Sequence, residues 1–386
     1  MRDFSKAKRI VVKIGTNVLT KNGGIDAAYV RRVAAQISSL LDTGRQVVIV
    51  SSGAIGMGAG RLDLDGKVRP VKKSAAGRAD IKCLISNGVK NMKMRQACAA
   101  IGQPLLMQEY RKSFLRHGVT VAQVLLTAEV LNNRKTYLNL RNSIETLLGL
   151  GVVPILNEND SVSTDEIGTA FGDNDKLSAL VASKIDADLL IMLSDIDALY
   201  DKNPRKFPGA KPIRAVFEIT ADIVKNAGGK GSRYATGGMK TKLEAAKIAS
   251  NAGCRIVLAN GRLKNVIARI IAGEELGTVF MPKRKLSNRA RWILNSTPAG
   301  TIHIDAGAMR ALRNHKSLLP SGVTRVEGPF GAGAVVMLND KAKVVTSIAS
   351  SQLKTLAGKH STEIKKLLGP KHRDVVAIPE DIVFLD

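Results

Sequence analysis

The first 280 residues alternate short apolar runs with longer stretches in which apolar residues recur every three or four positions. Arg9–Lys13 and Gln46–Val50 are typical of buried strands, whereas Asp26–Asp42 places Val30 and Ile37 on one helical face. Such alternation predicts βαβ units, and therefore a mostly parallel sheet covered by helices on both faces. The other predicted strands are Val119–Leu125, Val152–Leu156, Leu189–Leu193 and Arg255–Leu258, and further helices are Lys176–Ile185 and Lys242–Ala252.

The pattern changes after residue 280. Residues 281–296 contain Pro282 and a basic run, which predicts a linker between a domain of residues 1–280 and one of residues 297–386. In the second domain, glycines separate short β-like runs, which predicts a small β-rich fold with one helix, Ser361–Leu368. Its predicted strands are Thr301–Ile304, Val323–Val326, Ala334–Leu338 and Val344–Ile348.

Length and composition support two globular domains. The chain has 386 residues, 45% of them hydrophobic, and a mean hydropathy of +0.01. Cys83, Cys98 and Cys254 form neither a zinc pattern nor a disulfide framework, which favours a reducing compartment. The first apolar run, Ile10–Ile14, is too short for a signal peptide or a membrane span, so we expect a cytoplasmic protein without a membrane partner.

The chain is strongly basic, with a formal net charge of +26. Residues 297–386 contribute little, with 12 Lys and Arg against 8 Asp and Glu, whereas residues 66–95 carry 9 against 1. Three interpretations of this charge stay open. The lysines could form a generally basic, solvated surface, or the charge could serve to bind anionic substrates or a polyanionic partner.

A glycine-lysine loop is the main candidate for phosphate binding. Thr236-Gly237-Gly238-Met239-Lys240-Thr241-Lys242 precedes a predicted helix, and glycine amides at a helix N-terminus suit an anion. It does not match the Walker pattern, which is absent from the chain. Lys13, on an apolar strand and followed by Gly15, is a second candidate. The alternatives are that the loop is a plain turn, and that Lys13 lies on an edge strand and reaches solvent.

Polar motifs follow the other predicted strands, where ligands of parallel sheets gather. They are Ser51–Gly58, Asn157–Asp160 with Gly172–Asp175, and Ser194-Asp195. The first two suit recognition of a small charged substrate, and the third carries a carboxylate that could orient lysines or Mg²⁺. Each could equally be a turn or a helix cap. The five histidines do not cluster, which argues against a histidine base or a histidine metal site.

Taken in order, these motifs resemble the glutamate 5-kinases of the amino acid kinase family. They are Val-Val-Lys-Ile-Gly-Thr, Ser-Ser-Gly-Ala-Ile, Asn-Glu-Asn-Asp, Gly-Asp-Asn-Asp, Ser-Asp and Thr-Gly-Gly-Met-Lys-Thr-Lys. The resemblance implies an α/β three-layer sandwich with a mostly parallel central sheet, followed by a β-rich PUA domain, a module that binds RNA. It also implies that ATP phosphorylates the γ-carboxylate of L-glutamate, the first step of proline biosynthesis.

The resemblance also implies roles for individual residues. Lys13, Lys242 and Asp195 would be catalytic, with Asp195 orienting both lysines, and Ser52, Gly53, Asp160 and Asn174 would bind glutamate. ATP would be bound with Mg²⁺, whose ligands stay unassigned, by Lys13, Ser194, Asp195, Thr236, Gly237, Gly238, Met239, Lys240, Thr241 and Lys242. The family further implies feedback inhibition by proline, a homodimer or homotetramer, and RNA as a partner of the C-terminal domain.

Two segments depart from the family pattern. Residues 66–91 resemble an insertion that could cover the site, lie at a subunit contact or form a surface loop, and a smaller expansion lies between Asp160 and Gly172. Two alternatives to a glutamate kinase stay open. The chain could use aspartate, N-acetylglutamate or carbamate as acceptor, or it could act chiefly as an RNA-binding protein.

Overall fold

The computed structural model divides the chain into two compact units, Met1–Lys285 and Leu286–Asp386. It describes residues 2–21, 24–65, 92–162, 174–204, 207–226, 238–282, 285–360, 363 and 375–385. The basic segment 66–91, the loop residues Thr236 and Gly237, and all of the predicted helix Ser361–Leu368 except Glu363 lie outside these ranges.

An eight-stranded sheet forms the centre of the first unit. Its main strands are β1 (Arg9–Ile14), β4 (Gln46–Ser51), β5 (Val121–Leu126), β6 (Val153–Glu158), β7 (Leu189–Ser194), β10 (Ala215–Val216), β11 (Arg255–Asn260) and β12 (Thr278–Phe280). Their order is β10-β12-β11-β7-β1-β4-β6-β5, and every neighbouring pair is parallel except β11 with β12. Two small hairpins add β2 (Thr20–Lys21) with β3 (Gly24–Ile25) and β8 (Leu199–Tyr200) with β9 (Pro212–Ile213).

Helices cover both faces of this sheet. They are α1 (Thr16–Leu19), α2 (Ala27–Leu41), α3 (Ala54–Asp65), α4 (Met92–Leu115), α5 (Ala128–Asn132), α6 (Arg134–Gly149), α7 (Asn174–Lys184), α8 (Ala221–Asn226), α9 (Met239–Ser250) and α10 (Val266–Ile271). Because successive strand residues point to opposite faces, Val12 packs with α2, α4 and α10, whereas Val11 packs with α6, α7 and α9. The two apolar clusters confirm the predicted three-layer α/β sandwich.

The second unit is β-rich, as predicted. Its sheet has the order β14-β13-β15-β16-β17, and only the pair β13 with β15 is parallel. The strands are β13 (Thr301–Ile304), β14 (Val323–Glu327), β15 (Val335–Leu338), β16 (Ala342–Val345) and β17 (Ile382–Phe384). Two helices, α12 (Ala306–Arg313) and α13 (Ser350–Leu356), contribute buried leucines to its core.

Part of the predicted linker is a helix. Residues Asn288–Asn295 form α11, which the Ser287 side chain caps by accepting from the Ala290 amide. Trp292 and Ile293 are buried, so the helix belongs to the second unit instead of forming an extended connection. The charges of this stretch had suggested a solvated linker, but the two large apolar residues are enough to anchor a short amphipathic helix. Among the described residues, no helix is long and apolar enough to cross a membrane.

Candidate active site

Lys13 is buried in the middle of the sheet. Its strand, β1, is paired on both sides, with Lys13 opposite Val50 of β4 and Met192 of β7. Only 5% of Lys13 is exposed, which excludes the alternative of an edge-strand lysine reaching solvent. Its Nζ lies 2.5 Å from Oδ1 of Asp175, at the start of α7. A buried ammonium needs such an anionic partner to offset its desolvation.

Asp175 also binds the second predicted lysine. Nζ of Lys242 donates to Oδ2 of Asp175 over 2.9 Å, and the Thr241 hydroxyl donates to the same oxygen over 3.1 Å. Both residues lie in the first turn of α9, which begins after Gly238 and has no side-chain cap. Lys13 and Lys242 are therefore joined through one carboxylate at the N-terminal end of a helix.

The bridging carboxylate differs from the expected one. Asp195, expected to orient the two lysines, instead accepts from the Asn17 side chain over 2.8 Å and from the Ser194 hydroxyl over 3.1 Å. The structure places Asp175 between the lysines because α7 packs closely against β1 and α9. Asp175 was visible in the sequence as the last residue of Gly172–Asp175, but spacing alone does not reveal which carboxylate meets both lysines.

The electrostatics favour an ionised, positively charged group of three. Burial by itself raises the pKa of Asp175, but Lys13 and Lys242 outweigh that effect and hold it well below the usual carboxyl range. Two ammonium groups and one carboxylate leave one positive charge in a buried place. Together with the partial positive charge at the N-terminal end of α9, this arrangement suits an anionic ligand.

The remaining nucleotide candidates lie beside this group. Ser194 ends β7, and Gly15 at the end of β1 donates its amide to the Leu193 carbonyl. Burial raises the pKa of Asp195, but the hydrogen bonds from Asn17 and Ser194 and the charge of Lys242 leave it below its ordinary value. Gly238, Met239 and Lys240 open α9, and Lys240 is exposed to solvent.

The proposed glutamate residues form a second cluster. Nδ2 of Asn174 donates to the Ser51 carbonyl over 2.9 Å and to Oγ of Ser52 over 3.0 Å, so the loop after β4 meets the start of α7. Gly53 follows with φ +99°, a backbone conformation that favours glycine, and a Cβ there would meet Leu19. Ser52, Gly53 and Asn174 therefore belong to one polar cluster at the carboxyl end of the sheet, which the alternative of separate turns does not account for.

Asp160 occupies the turn after β6 and has an unusual pKa. Burial raises the pKa of its carboxyl to about 6, against the opposing charge of Arg95. A buried carboxylate with a raised pKa just after the end of a central strand is a functional-site candidate, because the charge of Arg95 does not fully offset the desolvation of its ionised form, which a cationic ligand would stabilise further. Asp173 and Gly172, which were expected near Asn174, lie outside the described residues.

Three further polar residues complete the cluster, and of these only Asn157, in the motif Asn157–Asp160, carried a sequence signal. Asn157 lies inside the end of β6, and its Oδ1 accepts from Asn174 over 3.0 Å. Gln103 and Tyr110 come from α4, where Gln103 accepts from Asn157 and the Tyr110 hydroxyl lies 2.9 Å from Oγ of Ser51. Neither α4 residue belongs to a motif, so only the packing of α4 on the sheet reveals them.

The part of the chain that the structure describes contains no dedicated metal-binding site made of protein side chains alone. No group of three or more His, Cys, Asp or Glu side chains there could hold a metal ion. Mg²⁺ commonly binds through one or two carboxylates and the phosphates of its substrate. The donor set at this site therefore fits a magnesium ion that arrives with a nucleotide, with Asp195 as the candidate protein carboxylate.

Comparison with known families covers both units. Residues 8–260 match the amino acid kinase family, and residues 300–368 match the PUA domain. Both matches were expected from the resemblance to the amino acid kinase family and to a PUA domain, and they confirm those two assignments.

Curated relatives are similar over almost the whole chain. The glutamate 5-kinase of Methanosarcina mazei is 45% identical over 396 residues, covering 99% of this chain and 97% of the relative. That of Caldanaerobacter subterraneus is 42% identical, covering 98% of both chains. Among solved structures, UMP kinase from Bacillus anthracis aligns with a TM-score of 0.47 and 16% identity, covering 72% of this chain and 98% of that one.

Proposed function

The chain belongs to the amino acid kinase family, and from that premise we propose that it uses ATP to phosphorylate the γ-carboxylate of L-glutamate. The products are L-glutamyl 5-phosphate and ADP, and the reaction opens proline biosynthesis. Support comes from identities of 42–45% to glutamate 5-kinases, which extend over both units. The full-length match favours glutamate over aspartate, N-acetylglutamate or carbamate as acceptor.

The buried group of Lys13, Asp175 and Lys242 is the observation that carries the proposal. A kinase acting on a carboxylate must bring two anions together, and lysines offset that repulsion. Here both ammonium groups are held within 2.9 Å of a single carboxylate. We propose that they contact the phosphates and stabilise negative charge on the transferring phosphoryl group. Asp175 holds the lysines in place and touches neither substrate.

The chemistry needs no general base. A glutamate carboxylate has a reference pKa near 4.3, so it is ionised at neutral pH and attacks directly. One of its oxygens forms a bond to the γ-phosphorus of ATP while the bond from that phosphorus to the β-γ bridging oxygen breaks. The electron pair leaves with ADP. The enzyme then has only to align the substrates and stabilise charge. No histidine base is required, which agrees with histidines that do not cluster in the sequence.

We assign glutamate to the cluster around Asn174. Ser52 and Gly53 would donate to a substrate carboxylate, and Asn174 and Asp160 would accept from the α-ammonium group. The hydrogen bond between Asn174 and Ser52 and the raised pKa of Asp160 support this assignment. The substrate ammonium would add a second positive charge beside an ionised Asp160, in addition to that of Arg95, and would further offset the cost of its burial.

We assign the nucleotide to the opposite side of the lysines. Ser194, Asp195 and the start of α9 from Gly238 would lie along ATP, with the amides of that helix facing its phosphates. Mg²⁺ would bind mainly to those phosphates and supply further charge neutralisation. Asp195 is fixed by Asn17 and is ionised at neutral pH, which supports a role close to that ion.

An acceptor screen tests the function. The purified chain is incubated with ATP, Mg²⁺ and one acceptor at a time, and the acyl phosphate is trapped with hydroxylamine. We expect ATP-dependent hydroxamate with L-glutamate and much less with L-aspartate, N-acetylglutamate or carbamate. Absence of hydroxamate with glutamate, in a protein that is folded by circular dichroism, would refute the proposal.

Two regulatory expectations accompany this function. We propose that proline inhibits the enzyme by competing with glutamate, because the family regulates this step by its end product. We also propose a homodimer or homotetramer. Proline titration at several glutamate concentrations tests the first, and sedimentation equilibrium tests the second. Inhibition that glutamate does not relieve would contradict competition.

RNA binding is a second candidate function, favoured by the PUA match at residues 300–368. We propose that it adds to catalysis rather than replacing it, because the kinase residues are all present. The test is filter binding of tRNA at several salt concentrations, comparing the full chain with one that ends at Lys285. Retention by the shorter chain would assign binding to the first unit, and no retention at low salt would exclude RNA.

A further inference from the structure

A chain of side-chain amides runs from α4 to the proposed glutamate site. Nε2 of Gln103 approaches Oε1 of Gln123 at 3.4 Å, and Oε1 of Gln103 accepts from Nδ2 of Asn157 over 2.8 Å. Oδ1 of Asn157 then accepts from Nδ2 of Asn174 over 3.0 Å. Gln103 and Asn157 are buried, at 8% and 2% exposure, so their amides need hydrogen-bond partners within the protein.

Backbone atoms determine the direction of this chain. The Glu158 amide can only donate, and it donates to Oδ1 of Asn157 over 2.9 Å, which leaves the Asn157 nitrogen facing Gln103. The Ser51 carbonyl can only accept, and it accepts from Nδ2 of Asn174. Turning the Asn174 amide over would bring its oxygen against this carbonyl and against Oδ1 of Asn157, which is repulsive.

This direction decides what remains for a ligand. Nδ2 of Asn174 is shared among Ser51, Ser52 and Asn157, whereas its Oδ1 accepts no hydrogen bond from the described residues. Oγ of Ser52 accepts from Asn174, so the Ser52 hydroxyl hydrogen is left to donate. The site thus presents an acceptor on Asn174 and a donor on Ser52, the polarity that an amino acid with ammonium and carboxylate groups requires.

We infer that Gln103 is a positioning residue that holds this polarity in place. Acting through Asn157, it helps to keep the Asn174 oxygen turned toward the substrate ammonium. Without an acceptor at position 103, the buried Asn157 nitrogen loses its partner, and the Asn157 amide shifts away from Asn174. Asn174 then keeps the Ser51 carbonyl but loses one of the three acceptors of its nitrogen, so its oxygen is held less firmly toward the ammonium. This inference rests on the proposed glutamate kinase function and adds a determinant of selectivity for the amino group.

The experiment compares two ligands that differ only in that group. For Gln103→Met, the KM for L-glutamate and the inhibition constant of glutarate, which lacks the amino group, are measured in the hydroxamate assay. We expect the glutamate KM to rise about tenfold, the scale of one unpaired buried amide. The glutarate constant, the ATP KM and kcat should change less than about threefold, because the lysines are untouched.

Two further variants separate positioning from general damage. Gln103→Glu keeps an acceptor for Asn157 and adds negative charge. Binding of glutamate and of glutarate should therefore weaken together, and the ratio of the glutamate KM to the glutarate inhibition constant should stay at the wild-type value. Gln108→Met, at an exposed glutamine of the same helix, should leave all constants unchanged. If Gln103→Met does not fold, Gln103→Glu still tests the inference, because a changed ratio in that variant contradicts it.

The outcomes are distinct. An unchanged glutamate KM in Gln103→Met, or an equal rise for glutamate and glutarate, would overturn the inference. Wild-type protein without glutamate-dependent hydroxamate would instead refute the proposed function. A higher KM for glutamate with an unchanged glutarate inhibition constant in Gln103→Met would support the positioning role, provided that Gln103→Glu preserves the ratio of the two constants.

Discussion

Lys13 and Asp175 form an ion pair of 2.5 Å whose carboxylate is fully buried, although the two residues lie on separate elements of the fold. The same carboxylate binds Lys242, so one anion holds two cations in the interior. Such an arrangement is costly for stability unless every charge is paired. Its presence at the carboxyl end of β1, where ligands of parallel sheets gather, supports the proposal that the charges serve a ligand.

Replacing Asp175 by Asn should both slow catalysis and destabilise the fold. The amide cannot neutralise Lys13 and Lys242, so we expect kcat to fall by at least about 100-fold and the free energy of unfolding by about 3–5 kcal/mol. Hydroxamate kinetics and urea unfolding measure the two effects. Asp186→Asn, at a partly exposed carboxylate paired with Arg141 and Lys285, is the control and should cost less, about 1 kcal/mol.

The pH dependence of this loss follows from the lowered pKa of Asp175. A carboxyl whose folded pKa lies below its unfolded value stabilises the protein above the unfolded pKa, and that contribution is lost as pH falls through the folded value. The stability difference between wild type and Asp175→Asn should therefore be constant at neutral and alkaline pH and shrink only in acid. A difference that already shrinks near neutral pH would contradict the ionised bridge.

Each lysine should be needed for turnover. Lys13→Met and Lys242→Met keep most of the apolar stem but remove the charge, so we expect kcat to fall by about 10²–10⁴. Lys247→Met, at an exposed lysine further along α9, is the matched control. Single-turnover assays at saturating ATP and glutamate separate this effect from weaker binding. Near-normal turnover in either buried-lysine variant would reject the assigned role.

Binding of glutamate should weaken in mild acid because burial raises the pKa of Asp160 to about 6. Below that pH the carboxyl is neutral and loses its attraction for the substrate ammonium. We expect the glutamate KM to rise as pH falls through about 6, and Asp160→Asn to have a high KM without this dependence. KM measured from pH 5 to 8 tests this, and identical profiles for the two proteins would count against it.

The raised pKa of Asp160 also predicts an effect on stability, opposite in sign to that of the lowered pKa of Asp175. A carboxyl whose folded pKa lies above its unfolded value costs stability once it ionises, so the cost is present above about pH 6 and absent below the unfolded value near 4. Without substrate, Asp160→Asn should therefore melt at a higher temperature than wild type at pH 8. The two should converge near pH 4, as differential scanning calorimetry would record.

The loop that carries Ser52 leads into a helix held close to α4 by glycines. A Cβ at Gly58 would lie 1.9 Å from the Cys98 carbonyl oxygen, and one at Gly102 would lie 1.8 Å from that of Ala54. Gly58→Ala should therefore force α3 and α4 apart, destabilising the protein by about 1–3 kcal/mol and raising the glutamate KM. Gly149→Ala, where a Cβ meets open space, should be neutral or stabilising by up to about 1 kcal/mol.

The local pattern was sufficient for much of the fold. Runs such as Gln46–Val50 and the helical face of Asp26–Asp42 correspond to β4 and α2 within one or two residues. Periodicity predicts these elements because it records which side chains are buried. Residues 288–295 were assigned to the linker because their charges obscured two core residues, Trp292 and Ile293.

The sequence by itself determined the sandwich, the β-rich second unit and the residue types proposed to handle phosphate, since strand-end motifs are local features. Only the tertiary structure decided which partners meet. Asp175 rather than Asp195 bridges Lys13 and Lys242, and Gln103 reaches the glutamate cluster from a helix without a motif. The physical reason is that the partner of a buried charge or amide is set by which elements pack against it, and residues distant in the chain supply those elements.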